Sequence, residues 1–495
     1  MNIQIEKTIK DYLQEIDEVI RDGKYKDDWD SLGQYKVAEW YQNAKFGLFI
    51  HWGVYSVPAF GNEWYPRNMY IQGSKEYDHH IKTYGKQKEF GYKDFIPMFK
   101  AEKFDAEEWA SLFERAGAKY VMPVAEHHDG FQMYKSNVSK YNAYEMGPKR
   151  DILGELRQSL EKRNIPLCAS THRIEHWFFM GHGKDFDSDI KEPLERGDFY
   201  WAAMPEPNHH DLFSPSPSKE FMEDWLVRTC EIVDRYRPKI VYFDWWIQHH
   251  AVKPYLKKFA AYYYNRANEW GIEVAINYKH DAFMFGSAVV DIERGQFSEQ
   301  KPYFWQTDTS VAKNSWCYTK NNDYKQPNEI ICDLVDIVSK NGTLLLNIGP
   351  KSDGTIPDED KSILLEIGRW LEINGEAIYS SKVWRKYGEG PTKVIEGQFT
   401  DSVSKHFTPQ DIRFTVNGSY LYAIVLNYPK NGEVIIESLG EKDASKLPHF
   451  HGVIKGITVL GFEEQPQWSR GENGLMIKTN KVSSDQPVVF KIQVD

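Results

Sequence analysis

Between residue 45 and about residue 350 the chain alternates two textures. An amphipathic stretch with apolar residues at helical spacing is followed by a short apolar run, which ends in polar or aromatic residues. "AEEWASLFERAGAKYVMPVAEHHDGF" is one such unit, with a helix to Ala116 and then a strand ending at Glu126-His127-His128-Asp129. "DILGELRQSLEKRNIPLCASTHRIEHW" ends at His172, and "EDWLVRTCEIVDRYRPKIVYFDWW" at Asp244. "YLKKFAAYYYNRANEWGIEVAINYKHD" ends at Asn277 to Asp281, "GSAVVDIERG" at Glu293 and "NEIICDLVDIVSKNGTLLLNIGP" near Asn347. Continuous apolar runs mark strands buried on both faces, hence a parallel sheet covered by helices. With "FGLFIHWG" the strands number seven, which favours a (β/α)8 TIM barrel over an open doubly wound sheet. No G-x-G-x-x-G follows a strand, which agrees. Chemistry in such a barrel sits at the C-terminal ends of the strands, where the polar clusters fall.

A helix follows at "DEDKSILLEIGRWLEINGEAIY", and near residue 385 the texture changes. Short alternating runs such as "DIRFTV", "YLYAIVLNY", "EVIIESL", "GVIKGITVLGF", "GLMIKTN" and "PVVFKIQVD", separated by Gly, Asn, Pro and Asp, predict an antiparallel β-sandwich. The expected division is a barrel with an N-terminal helical segment over residues 1–384 and a C-terminal sandwich over 385–495. The sandwich reads as a buttress for the barrel rather than a separate binding module.

The bulk numbers exclude more than they specify. Formal net charge is -11 with the acidic residues interspersed, so no basic surface for nucleic acid is expected. No window approaches the apolar length of a membrane span. The N-terminus lacks the apolar core of a signal peptide, giving a cytoplasmic expectation as the sequence stands, or a secreted or periplasmic one where a leader has been cleaved. The four cysteines (Cys168, Cys230, Cys317, Cys332) are far apart and match no metal or redox spacing, so reduced buried thiols are expected. Oligomeric state is open, and a homo-oligomer stays compatible. Aromatic content, at 15%, is the number that stands out. Large proteins bury rings, but "KFGLFIHWGVYSVPAFGNEWYPRNMY" sets His51 and Glu63 among them, as a pocket stacking rings on sugar C–H faces would.

Asp244 ends an apolar strand and precedes two tryptophans. A carboxylate there is either a rim residue capping the next segment or functional. Glu293 holds the equivalent place on a later strand, with Arg294 as a candidate salt-bridge partner. Two carboxyl groups in one barrel mouth are what glycoside cleavage requires. Asp291, Glu299 and Asp308 are rivals for the second role. His51, His127, His128 and His172 all end strands, and neutral imidazoles hydrogen-bond sugar hydroxyls well. "HRIEH" matches the inverted zinc-peptidase pattern, which needs a helix to aim its ligands. Here it follows a strand running into its loop, so no metal and no cofactor is expected. G-x-S-x-G is absent, leaving an esterase or peptidase without a nucleophile.

"AKFGLFIHWGVYSVPAFGNEWYPRNMY", "HHDGF", "YFDWW", "SWCY", "LLLNIGP" and "WLEINGEAIYSSKVW", in this order, resemble the α-L-fucosidases of glycoside hydrolase family 29 over about residues 36–386. The resemblance implies a retaining exo-glycosidase that removes terminal α-L-fucosyl residues through a fucosyl-enzyme intermediate, with a fucosylated oligosaccharide or glycoconjugate as substrate. It places Asp244 as nucleophile and Glu293 as acid/base. His51, Glu63, Trp64, His127 and His128 match positions holding the sugar, and His172 is placed with them. Trp316 looks like an aromatic wall for the C5 methyl. Tyr242 stands where many members carry Trp. Lys279 falls where some members carry Arg, and is left out of the expected site. The alternatives are an α-L-galactosidase using the same site and a sugar-binding protein without catalysis.

Overall fold

The protein is described from a computed structural model that covers residues 8–403, 405–441 and 450–495. Eight parallel strands close into a barrel: β1 (Phe46–Ile50), β2 (Val121–Glu126), β3 (Ala169–Thr171), β4 (Ile240–Phe243), β5 (Ala275–Tyr278), β6 (Val289–Glu293), β7 (Trp305–Ser310) and β8 (Gly342–Ile348). Closure is made by β1, which pairs with β2 on one side and β8 on the other, with Phe46 opposite Leu344 and Ile50 opposite Ile348. Helices cover the outside, among them Ala106–Arg115, Lys219–Tyr236, Lys253–Trp270 and Pro327–Ser339. The helix Ile9–Asp22 is started by a capping box between Thr8 and Asp11 and packs on two of these outer helices.

The strand that the apolar pattern does not reveal is β7, "WQTDTS". It is fully buried yet polar, because its alternate residues turn into a hydrogen-bonded barrel interior. Gln306 accepts from the hydroxyls of Tyr41 (2.6 Å) and Tyr120 (3.2 Å) and donates to Asp291 (2.7 Å). A buried polar strand is affordable when its groups are paired.

The "HHDGF" turn after β2 shows how local chemistry aims the mouth of the barrel. Asp129 accepts from the Tyr92 hydroxyl (2.7 Å) and from the Phe131 amide (3.1 Å). Gly130 lies at φ +80°, and a Cβ there would meet Arg173 and His176 at 2.8 Å. Only glycine meets both demands.

The remaining strands form two antiparallel sheets. They are β9 (Lys382–Glu389), β10 (Ile412–Asn417), β11 (Tyr420–Val425), β12 (Glu433–Ile436), β13 (Ile454–Val459), β14 (Gln467–Gly471), β15 (Gly474–Lys478) and β16 (Val488–Val494). Their order is β13-β16-β11-β10-β9 in one sheet and β12-β15-β14 in the other. The core between them is built from inward residues such as Phe414, Ala423, Ile436, Ile477 and Phe490. The exposed "QWSRG" of β14 and the mostly polar β9 carry no alternating signal, which is why the sequence pattern omits them.

Among the ionic contacts that tie sandwich to barrel, one is fully buried. Arg413 of β10 donates through Nε to Asp336 (2.5 Å) on the helix Pro327–Ser339, and Lys340 holds the other Asp336 oxygen at 2.6 Å. All three are buried. Arg413→Ala removes one of two cations from a buried carboxylate and leaves Lys340 in place, so it should destabilise the protein by about 1.5–3 kcal/mol. Chemical denaturation checks this, and a loss below about 0.5 kcal/mol would show that the sandwich docks without it.

Candidate active site

Every barrel strand sends a polar side chain towards the mouth. His51 follows β1, His127 and His128 follow β2, His172 follows β3, Asp244 follows β4 and Lys279 follows β5. Glu293 ends β6, Asp308 lies in β7 and Asn347 in β8. The loop after β1 adds Glu63 and Trp64, and the loop after β7 adds Trp316. A cavity of about 270 Å³ is lined by His51, Glu63, Trp64, His127, His128, His172, Tyr242, Asp244, Glu293 and Trp316. The structure thus brings all the expected site residues to one place. It also adds Glu175, Asp308, Trp245 and Phe399 to the lining.

Asp244 is held on two sides. His172 Nδ1 lies 3.0 Å from its Oδ2 and His128 Nε2 lies 3.5 Å from the same atom. Ser170 Oγ sits 2.6 Å from His172 Nε2; its hydroxyl supplies the proton there, leaving the Nδ1–H to donate to Asp244. Burial works to raise the Asp244 pKa. The His172 contact and the Lys279 charge override it and hold the carboxyl well below the usual carboxylate range.

Lys279 is the residue that reading the sequence left out. Its ammonium lies 2.8 Å from Glu293, 3.3 Å from Asp308, 3.5 Å from Asp291 and 3.8 Å from Asp244. Its side chain is 1% exposed, a burial that a lone lysine would not keep. Burial works to neutralise it, but the surrounding carboxyls hold its pKa well above the usual value. One cation cannot neutralise four carboxylates. Burial first, with Asp308 next, keeps Asp291 protonated, its pKa raised well above the ordinary value. For Glu293, burial and the charges of Asp244 and Asp308 outweigh the pull of Lys279, and its pKa is pushed up to about 7. The signal that could have found Lys279 was its place one residue beyond a barrel strand.

Glu293 Oε2 accepts from Trp245 Nε1 (2.6 Å) and from Lys279 (2.8 Å). With both donors on one oxygen, the proton belongs on Oε1. The partner expected for Glu293 is corrected: Arg294 turns away, to Asp401 (3.2 Å) and the carbonyls of Ala312 and Ser315, and stacks over Trp316. Of the rivals, Glu299 is exposed and outside the cavity lining, and Asp291 lies beneath it, bonded to Gln306. Asp308 lines the cavity but accepts from Tyr242 (2.7 Å).

The imidazoles of His51, His127 and His128 are neutral. His51 directs its amide (3.1 Å) and Nδ1 (2.7 Å) at Asn347 Oδ1, so Nδ1 carries the proton and Nε2 is left as an acceptor. Burial holds His51 and His127 well below the usual histidine pKa and His128 at about 3. Nδ1 of His127 has no partner among the described residues. Glu63 accepts from the Trp316 amide at 2.9 Å, tying the two loops together.

Two ligand sets lie close enough for a metal ion: His51, His127 and His172, and His128, His172 and Asp244, each with donor atoms within 4.8 Å. In "HRIEH" itself the side chains diverge. His172 bonds Asp244, Arg173 pairs with Asp224 (3.0 Å), and both ring nitrogens of His176 face backbone carbonyls at 2.8 and 2.9 Å. The motif is not a zinc-peptidase site.

A closed (β/α)8 barrel with an ionised aspartate and a proton-holding glutamate bridged by one ammonium at its C-terminal mouth defines a glycoside hydrolase. The α-L-fucosidase family model matches residues 12–376, and the model of the α-L-fucosidase C-terminal domain matches residues 405–493. Human tissue α-L-fucosidase is 33% identical over 459 residues, spanning 92% of this chain and 87% of that protein. Human plasma α-L-fucosidase is 29% identical over 483 residues, spanning 92% and 89%. The crystal structure of Thermotoga maritima α-fucosidase in complex with a mechanism-based inhibitor has a TM-score of 0.74 at 29% identity, covering 95% of this chain and 100% of that one. The chain belongs to the α-L-fucosidases, glycoside hydrolase family 29.

Lys279 sets the titration of both carboxyls in the same sense, because a cation favours the ionised form of each. Lys279→Met should therefore move both the acid and the alkaline limb of the kcat/KM–pH profile upward, by about one pH unit. Limbs that stay in place while the variant folds normally would remove Lys279 from this role.

Proposed function

We propose that the protein is a retaining exo-α-L-fucosidase in which Asp244 is the nucleophile and Glu293 the acid/base. The observation that carries this reading is the opposite bias of two carboxyls facing one cavity. Asp244 is kept ionised and Glu293 kept protonated near neutrality. Equal environments would ionise both.

In the first half-reaction Asp244 attacks the anomeric carbon while Glu293 Oε1 gives its proton to the leaving oxygen. Formation of the fucosyl ester removes the negative charge of Asp244. One of the two charges that raise the Glu293 pKa is then gone, so Glu293 becomes the base that deprotonates water in the second half-reaction. Lys279 stays beside both groups throughout and limits the charge change that each step imposes on the buried site. Retention calls for carboxyl groups about 5–5.5 Å apart, and a shared ammonium at 2.8 and 3.8 Å is compatible with that span.

His51 Nε2, the unpartnered His127 Nδ1 and Glu63 offer acceptors and donors for the sugar hydroxyls, and Trp64 offers a ring face. Trp316, Phe49 and Tyr242 line an apolar side of the cavity that suits the C5 methyl of fucose. A hydroxyl on that carbon would be buried against them without a partner, which disfavours L-galactose. A small, walled cavity takes one terminal sugar, hence exo action.

Asp244→Gly should reduce turnover of an aryl α-L-fucoside by a factor of about 10⁴ or more, since the covalent route is lost. Added azide should restore activity and yield a glycosyl azide of inverted configuration. A folded variant that azide cannot rescue would take Asp244 out of the nucleophile role.

A further inference from the structure

We propose that Phe399 and Trp245 form a subsite for the leaving group, a two-ring platform that receives the apolar face of a pyranose attached to fucose. This rests on the reading of Glu293 as the acid that protonates the departing oxygen.

Phe399 belongs to the segment that follows β9, after the barrel has closed, and its segment returns to the barrel mouth. Gly397 and Gln296 exchange backbone hydrogen bonds (3.1 and 3.2 Å), the Phe399 amide donates to the Glu293 carbonyl (2.9 Å), and the Asp401 amide donates to the Arg294 carbonyl (3.0 Å). Asp401 then clamps the end of the segment. Its Oδ2 takes Thr309 Oγ1 and Lys325 Nζ, both at 2.6 Å, and Arg294 at 3.2 Å. The approach is so close that a Cβ on Gly295 would stand 1.8 Å from the Gly397 carbonyl oxygen. The segment is therefore fixed along the backbone of the strand end that carries Glu293.

Packing does not explain the ring that this anchoring presents. Phe399 has φ +55°, a conformation unfavourable for a residue with a side chain, and the residue remains 50% exposed while lining the cavity. Trp245 stands beside it, ring centroids 5.9 Å apart at 44°. Trp245 is held by its Nε1–H bond to Glu293 and by the His280 ring at 4.6 Å. Trp245 thus touches the carboxyl that must reach the departing group, and the Phe399 ring stands next to Trp245 in the cavity lining. A leaving oxygen within hydrogen-bond distance of Glu293 brings its own ring over Trp245 and Phe399. The polar edge of a hexopyranose stays in water there and its C–H face meets the rings.

The test compares two substrates for the unaltered protein, Phe399→Ala and Phe399→Tyr. One is α-L-fucosyl fluoride, whose leaving group is a single atom, and the other is an α-L-fucosyl-hexopyranose disaccharide. For Phe399→Ala the loss of kcat/KM on the disaccharide should exceed the loss on the fluoride by about tenfold. Phe399→Tyr, which keeps the ring, should recover most of it. Equal losses on both substrates would mean that the ring serves the fold of the segment, and no loss on either would mean that the leaving group does not touch it; both overturn the platform. Failure of the unaltered protein to hydrolyse the fluoride would strike the glycosidase reading itself and the platform with it.

Discussion

One buried ammonium facing four carboxyl groups is the constraint on which the site depends. Lys279 stands within 3.8 Å of Asp244, Asp291, Glu293 and Asp308. A positive charge this deep in a barrel is retained only because anions surround it, and it cannot satisfy all of them at once. The surplus is resolved by protons. Asp291 keeps one under the cavity and Glu293 keeps one facing it, while Asp244 has the His172 donor to itself and stays charged. The difference in ionisation between Asp244 and Glu293 is thus set by where the shared cation and the neighbouring imidazole fall.

The barrel supplies the distances. Strand ends on a closed ring point into one mouth, so residues from β1 to β8 meet although they span about 300 positions of sequence. Pairing fixes the heights: Glu293 is opposite Asp308, and Ser310 is opposite Asn347, whose amide then sets the tautomer of His51. The sandwich contributes through the segment leading into it. Asp401 and Phe399 press against the end of β6, and Arg413 meets the barrel helix through Asp336. That segment also lines one side of the cavity through Phe399.

Much of this architecture is legible in the sequence because a parallel barrel writes its strands as apolar runs and its chemistry at their ends. His51, His127, His172, Asp244 and Glu293 are visible for that reason. What escapes notice does so for physical causes. β7 is a strand whose inward residues Gln306 and Asp308 pair with polar groups of other elements instead of with an apolar core, so hydropathy passes over it. Arg294 adjoins Glu293 in sequence, but successive residues of a strand face opposite ways, and the partner of Glu293 comes from β5. Phe399 is more than a hundred residues from Glu293 along the chain, and only the return of its segment joins them. Lys279 stands where some family members carry Arg, and its part in the site shows only once the carboxyls of β4, β6 and β7 are assembled around it.

The most direct test of the charge arrangement is neutron diffraction from crystals of the unliganded protein at mildly acidic pD, where deuterons on carboxyl oxygens are seen individually. A deuteron on Glu293 Oε1, none on Asp244 and three on Lys279 Nζ is the expected pattern. A deuteron on Asp244, or a bare Glu293 beside a neutral Lys279, would contradict it.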